Sequence, residues 1–129
     1  MLGDTDEWAH ERRYDLYLDA ARRGDRFIRT LWETAQSLPG YRGRTALIVA
    51  TDHGRGSGED WTDHGREVPA AERIWMAVLQ PSAVSLQPSA LRGNYTQAQF
   101  AATIAALLGL EKEFRAANPK AAPALRLSP

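Results

Sequence analysis

The sequence predicts an α/β fold, part of a mainly parallel sheet flanked by helices, and three stretches predict it. A long amphipathic helix pattern comes first. A short apolar run with β-branched residues follows it, and a second such run ends at a proline.

The helix pattern covers residues 11 to 38. Tyr14, Leu18, Ala21, Ile28, Leu31, Trp32, Ala35 and Leu38 fall close to one stripe, with Arg12, Arg22, Arg23, Arg26 and Arg29 available to the solvent side. The acidic opening Asp4-Thr5-Asp6-Glu7 suits the positive end of a helix dipole. Leu38-Pro39-Gly40 predicts the stop, because proline cannot continue the hydrogen-bond ladder. Thr45 to Ala50 is apolar after its first residue, which suits a strand covered on both faces in a parallel sheet. Arg73 to Leu79 predicts the second strand, closed by Gln80-Pro81. Thr96-Gln97-Ala98-Gln99 has the spacing of a capping box and opens a helix carrying Phe100, Ile104, Leu107 and Leu108, with Gly109 placed to end it. Residues 118–129, with Pro119, Pro123 and Pro129 among alanines, predict an extended tail after a domain covering 1–117.

With 129 residues and 16 basic against 16 acidic side chains, the chain predicts one globular unit without a polyanion-binding face, so neither nucleic acid nor a lipid surface is an expected partner. A small-molecule ester is expected instead. The absence of cysteine removes disulfides, thiolate metal sites and cysteine nucleophiles, leaving His, Asp and Glu to hold any metal. No apolar run approaches the roughly 20 residues of a membrane-spanning helix, and the acidic opening is unlike a signal peptide. A soluble chain is expected, with its compartment left open.

The chemistry concentrates in a short repeat. Thr51-Asp52-His53-Gly54-Arg55 recurs eleven residues later as Thr62-Asp63-His64-Gly65-Arg66. The only other histidine, His10, stands four residues after Asp6, so on a helix the two share a face. Imidazole and carboxylate without thiolate suit zinc, manganese or iron better than calcium. Asp52 and His53 directly follow the first strand, where open parallel sheets bind ligands, and Gly54 permits a sharp departure from it. Taken alone, Asp52-His53-Gly54 is equally a polar turn, whereas Asp6 and His10 alone read more readily as a helix cap and an exposed first-turn residue. The long connection from Gly54 to Glu72 tips the balance towards function. Asp63 reads as a loop charge or a partner of a ligating histidine. Arg55 and Arg66 read as solvated loop charges, although a guanidinium can also fork onto phosphate oxygens.

A hydrophobic strand ending in Thr-Asp-His-Gly, here Thr45 to Gly54, resembles the C-terminal metal-binding strand of the alkaline phosphatase superfamily. That family includes nucleotide pyrophosphatase-type phosphodiesterases, sulfatases and cofactor-independent phosphoglycerate mutases. Asp6-Glu7-Trp8-Ala9-His10 resembles its Asp-x-x-Gly-His element, with Ala9 where glycine is common. Thr62-Asp63-His64-Gly65 resembles its later His-Gly element, Ile74 to Pro81 the strand that follows, and Thr96 to Leu110 its late helix ending in Leu-Leu-Gly. The resemblance spans Asp4 to Leu110. It implies an alkaline-phosphatase-like fold lacking its N-terminal half, and two divalent ions, zinc first and manganese next. Asp6, His10 and His64 would hold one ion, and Asp52 and His53 would contribute to the other. The activity implied is hydrolysis of phosphate, phosphodiester or sulfate esters, with an anionic ester as the partner. The family's nucleophile and a further aspartate come from an N-terminal segment, so no nucleophile is assigned in this chain. The alternative is a noncatalytic metal-binding or interaction domain.

Overall fold

A computed structural model describes residues 3–80 and 94–126. The chain divides into two compact units, Met1–Pro81 and Ser82–Pro129. The candidate site lies in the first.

In the first unit, α1 (Asp4–His10) and α2 (Tyr14–Ser37) pack on one another. The predicted continuous helix from residue 11 therefore begins three residues later, and Asp6 and His10 belong to a helix of their own. The reason lies in the backbone at Arg12, which adopts φ 57°. Its N–H donates to the Ala9 carbonyl (2.9 Å) and the Arg13 N–H donates to the Trp8 carbonyl (2.9 Å), the paired bonds of a Schellman stop. Such a stop favours glycine, and an arginine there carries no sequence signal. Arg23 reaches from α2 to Asp4 at 3.5 Å and ties the two helices together. The face of α2 turned inward is Tyr17, Ala20, Gly24, Ile28, Trp32 and Ala35, at helical spacing. The predicted stripe was rotated from it, because Tyr14, Leu31 and Leu38 are exposed.

β1 (Leu47–Ala50) and β2 (Met76–Leu79) lie inside the two predicted strands. They pair antiparallel, Leu47 opposite Leu79 and Ala50 opposite Met76, and among the described residues they make a two-stranded sheet. This overturns the expectation of a mainly parallel, alkaline-phosphatase-like sheet. A parallel neighbour needs a crossover, usually an α-helix, to carry the chain back to the starting edge. The connection here contains only a 3₁₀ turn (Gly58–Thr62) and zips back on itself. The Thr51 N–H donates to the Trp75 carbonyl (3.3 Å) and the Gly54 N–H donates to the Ala71 carbonyl (2.7 Å), so the returning chain runs alongside the outgoing one. The strand residues are also mostly half-buried rather than covered on both faces. An unbroken apolar run does not by itself specify the direction of pairing.

In the second unit a 3₁₀ turn (Gln97–Gln99) leads into α3 (Phe100–Leu107), and α4 (Glu111–Ala117) follows. The predicted capping box is present, with the Thr96 N–H donating to Gln99 Oε1 at 3.0 Å. Gly109 ends α3 at φ 74°, the left-handed conformation that glycine adopts without penalty. Residues 118–126 form no helix or strand, yet Leu125 is buried, and its N–H donates to Oγ1 of the buried Thr103 at 2.9 Å. Among the described residues no helix is long and apolar enough to cross a membrane.

Candidate metal centre

Three segments converge on one carboxylate. α1 presents Asp6 and His10 one turn apart, with His10 Nε2 3.6 Å from Asp6 Oδ1. Ala9 between them is fully buried, so this turn sits against its neighbours. The end of β1 delivers His53, whose Nε2 lies 3.9 Å from the same oxygen. The returning loop delivers His64, with Nε2 3.4 Å from Asp6 Oδ1 and 3.0 Å from His10 Nε2. The rings of His53 and His64 stack at a centroid distance of 3.9 Å.

The loop is held in this shape by contacts that can be named. Gly54 passes so close to the returning chain that a Cβ there would collide with the carbonyl oxygens of Arg73 and Ala70. Gly56 donates its N–H to the Asp63 carbonyl at 3.0 Å, and a Cβ on it would lie 2.8 Å from Val68 Cγ1. Trp61 stands edge-on to Tyr14 and Tyr17, at centroid distances of 5.4 and 5.8 Å, which fixes the 3₁₀ turn against α2. Asp63 Oδ1 accepts the N–H groups of His64 (2.6 Å) and Gly65 (3.0 Å). Those two bonds hold its carboxyl below the ordinary carboxylate value.

Asp6 Oδ1, His10 Nε2 and His64 Nε2 form a triangle with edges of 3.6, 3.4 and 3.0 Å. Tetrahedral zinc with bonds of about 2.0–2.1 Å needs about 3.3 Å between donor atoms, and the three edges bracket that spacing. These three residues are the group among the described residues whose ligand atoms are all close enough to share an ion. His53 Nδ1 lies 2.9 Å from the Gly54 carbonyl oxygen, which can only accept, so Nδ1 carries the hydrogen and Nε2 is the ring nitrogen left with a lone pair.

No family model, curated protein or solved structure matches the chain. The chemistry of the site rests on its geometry and on the pattern of its residues.

Asp52 and His53, the pair assigned to the second ion, come together with Asp52 Oδ1 3.8 Å from His53 Nε2. They border a cleft of about 610 Å³ beyond the end of β1, together with Thr51, Asp6, Arg55 and Trp75. The Asp52 side chain is 91% exposed and projects towards solvent, so this pair is not drawn into the tight triangle around Asp6.

One residue is more deeply engaged than its sequence suggests. Arg55, read as a solvated loop charge, is 15% exposed, with Nη2 in direct contact with Asp6 Oδ1 and Nη1 donating to the Thr62 carbonyl at 3.3 Å. Arg66, at the matching place in the second copy of the repeat, is exposed. Both copies have the same local sequence, so nothing in it separates the two arginines. Tyr17 and Trp75 also line the cleft, and their spacing in the chain gives no hint of it.

Proposed function

We propose that this chain carries metal ligands of a two-metal hydrolase of phosphate, phosphodiester or sulfate esters, of the alkaline phosphatase superfamily kind. The observation that carries the reading is the triangle of Asp6, His10 and His64, whose edges suit one tetrahedral ion although His64 lies 54 residues from His10. The order of the Asp-x-x-Ala-His, Thr-Asp-His-Gly and second Thr-Asp-His-Gly elements supports it. Asp6, His10 and His64 would hold one ion, and Asp52 and His53 would contribute to another.

Bound divalent ions would act as Lewis acids on the ester oxygens. The work of the chain itself is to fix His53 in one tautomer through Gly54, to hold His64 over α1 through Asp63 and Trp61, and to admit the ester through the cleft. No residue of this chain is assigned as the nucleophile.

Zinc titration of the full chain by calorimetry tests the metal reading. His64→Ala should weaken binding by about 100-fold, because it removes one of three ligands, and His53→Ala should weaken the tightest site by less than about 10-fold. Equal and small losses in both variants, or no zinc binding by the parent chain, would overturn the assignment. Release of p-nitrophenol from its phosphate monoester, diester or sulfate in the presence of zinc tests the reaction. Tight binding without turnover favours the noncatalytic metal-binding domain instead.

A further inference from the structure

We propose that Arg55 is an exchangeable counter-cation. It neutralises Asp6 while no divalent ion is bound, and it turns its fork onto a tetrahedral oxyanion in the cleft once an ion takes that carboxylate. This rests on the metal reading of Asp6, His10 and His64.

The starting observation is that one oxygen has two claims on it. Asp6 Oδ1 is the atom shared by the His10, His53 and His64 contacts, and it is also the atom that Arg55 Nη2 touches. A divalent ion among those groups would repel a guanidinium pressed against the same oxygen. Arg55 would have to let go.

Where it can go is limited. Its side chain is 15% exposed, so the charge has little access to bulk water where it stands. Its backbone is also pinned on both sides. The Gly54 N–H is bonded to the Ala71 carbonyl at 2.7 Å and the Gly56 N–H to the Asp63 carbonyl at 3.0 Å. The head group can therefore move only by rotating the side chain about a fixed Cα. Within that arc lies the cleft of about 610 Å³ that Arg55 already lines beside Thr51, Asp52 and His53.

The chemistry of the fork names the ligand. A guanidinium has five N–H donors in one plane, more than the contacts to Asp6 and Thr62 consume, and it matches two oxygens of a phosphate or sulfate group. Released from Asp6, it meets an oxyanion beside the metal ligands. One side chain that serves the carboxylate or the anion, but not both, couples the two binding events. Zinc should favour the anion, and by reciprocity the anion should favour zinc.

The test uses the full chain, micromolar zinc and inorganic phosphate, with both affinities measured by calorimetry. Arg55→Met keeps most of the side-chain length and removes the charge. It should bind zinc about 3- to 10-fold more tightly than the parent, because the competing cation is gone, and once loaded with zinc it should bind phosphate about 10-fold or more weakly. Arg66→Met, on the exposed arginine, should change neither value. Arg55→Lys keeps a charge without the fork, should still lose phosphate affinity, and carries the test if Arg55→Met fails to fold. Weaker zinc binding in folded Arg55→Met would mean that Arg55 merely props up Asp6, and the proposal would fall. Unchanged phosphate affinity in the zinc-loaded variants would also overturn it while leaving the metal reading standing. A parent chain that binds no zinc sinks the metal reading itself, and this proposal with it.

Discussion

The two copies of Thr-Asp-His-Gly-Arg have the same five residues and are held by different means. The first copy is fixed mainly through its backbone. Thr51 and Gly54 are bonded to the returning chain, and Gly54 is packed so tightly that it has no room for a side chain. The second copy takes the Gly56 N–H on the Asp63 carbonyl and is held besides by side chains, with Trp61 against Tyr14 and Tyr17 and Asp63 bonded to the two amides that follow it. The residue in front of each copy accounts for much of this. Ala50 ends a strand, whereas Trp61 lies inside a 3₁₀ turn that runs into the second copy at Thr62, and supplies an anchor. Identical local chemistry is thus presented in two ways, and His53 and His64 arrive stacked on each other from opposite directions along the chain.

The sharpest way to break this comparison is at the paired glycines. Gly54→Ala should cost about 3 kcal/mol in urea unfolding, because the new methyl group meets fixed backbone carbonyls that cannot give way. Gly65→Ala should stay within about 0.5 kcal/mol, since its Cβ would meet Asp63 Oδ1 at 3.6 Å and Val68 Cγ2 at 3.8 Å, ordinary contacts. Equal costs would show that the first copy is no more tightly packed than the second.

A smaller effect is expected at the aromatic anchor. Trp61→Ala removes two edge-to-face contacts and a half-buried ring, and should cost roughly 2 kcal/mol in the same measurement. Zinc affinity should fall with it, because His64 loses its support, while Trp61→Phe should recover most of both. A loss of stability with zinc affinity untouched would separate the anchor from the site.

The same contrast explains which features could be read from the sequence. The strand positions, the Thr96–Gln99 capping box and the Gly109 stop follow from local residue chemistry, and they are found where that chemistry puts them. That Asp6 and His10 share a helical face also follows from their spacing. Pairing direction does not, because it depends on whether the connection crosses over or folds back, and the loop's fold depends on contacts at Gly54 and Gly56 made by residues far along the chain. The break at Arg12 was hidden because arginine holds a conformation that usually announces itself as glycine. Helix α4 was also missed. It is a short charged segment whose Glu111–Arg115 pair at 3.5 Å is a weak signal taken alone. Arg55 and Arg66 differ only in what the fold brings beside them, so no local rule could have chosen between them.

The smallest predicted effect concerns the two aspartates of the repeat. Asp63 Oδ1 accepts two backbone N–H groups, whereas Asp52 Oδ1 accepts that of His53 at 3.1 Å. Such turns are local, and both carboxylates face solvent, so neither should matter much to global stability. The consequence to look for is local opening. Asp63→Ala should accelerate amide hydrogen exchange at His64 and Gly65, and Asp52→Ala should leave the Gly54 amide protected, because that hydrogen goes to the Ala71 carbonyl. Fast exchange at Gly54 in the Asp52 variant would mean that the first copy, too, depends on its side chain. Its backbone bonds to the returning chain would then be insufficient to hold it.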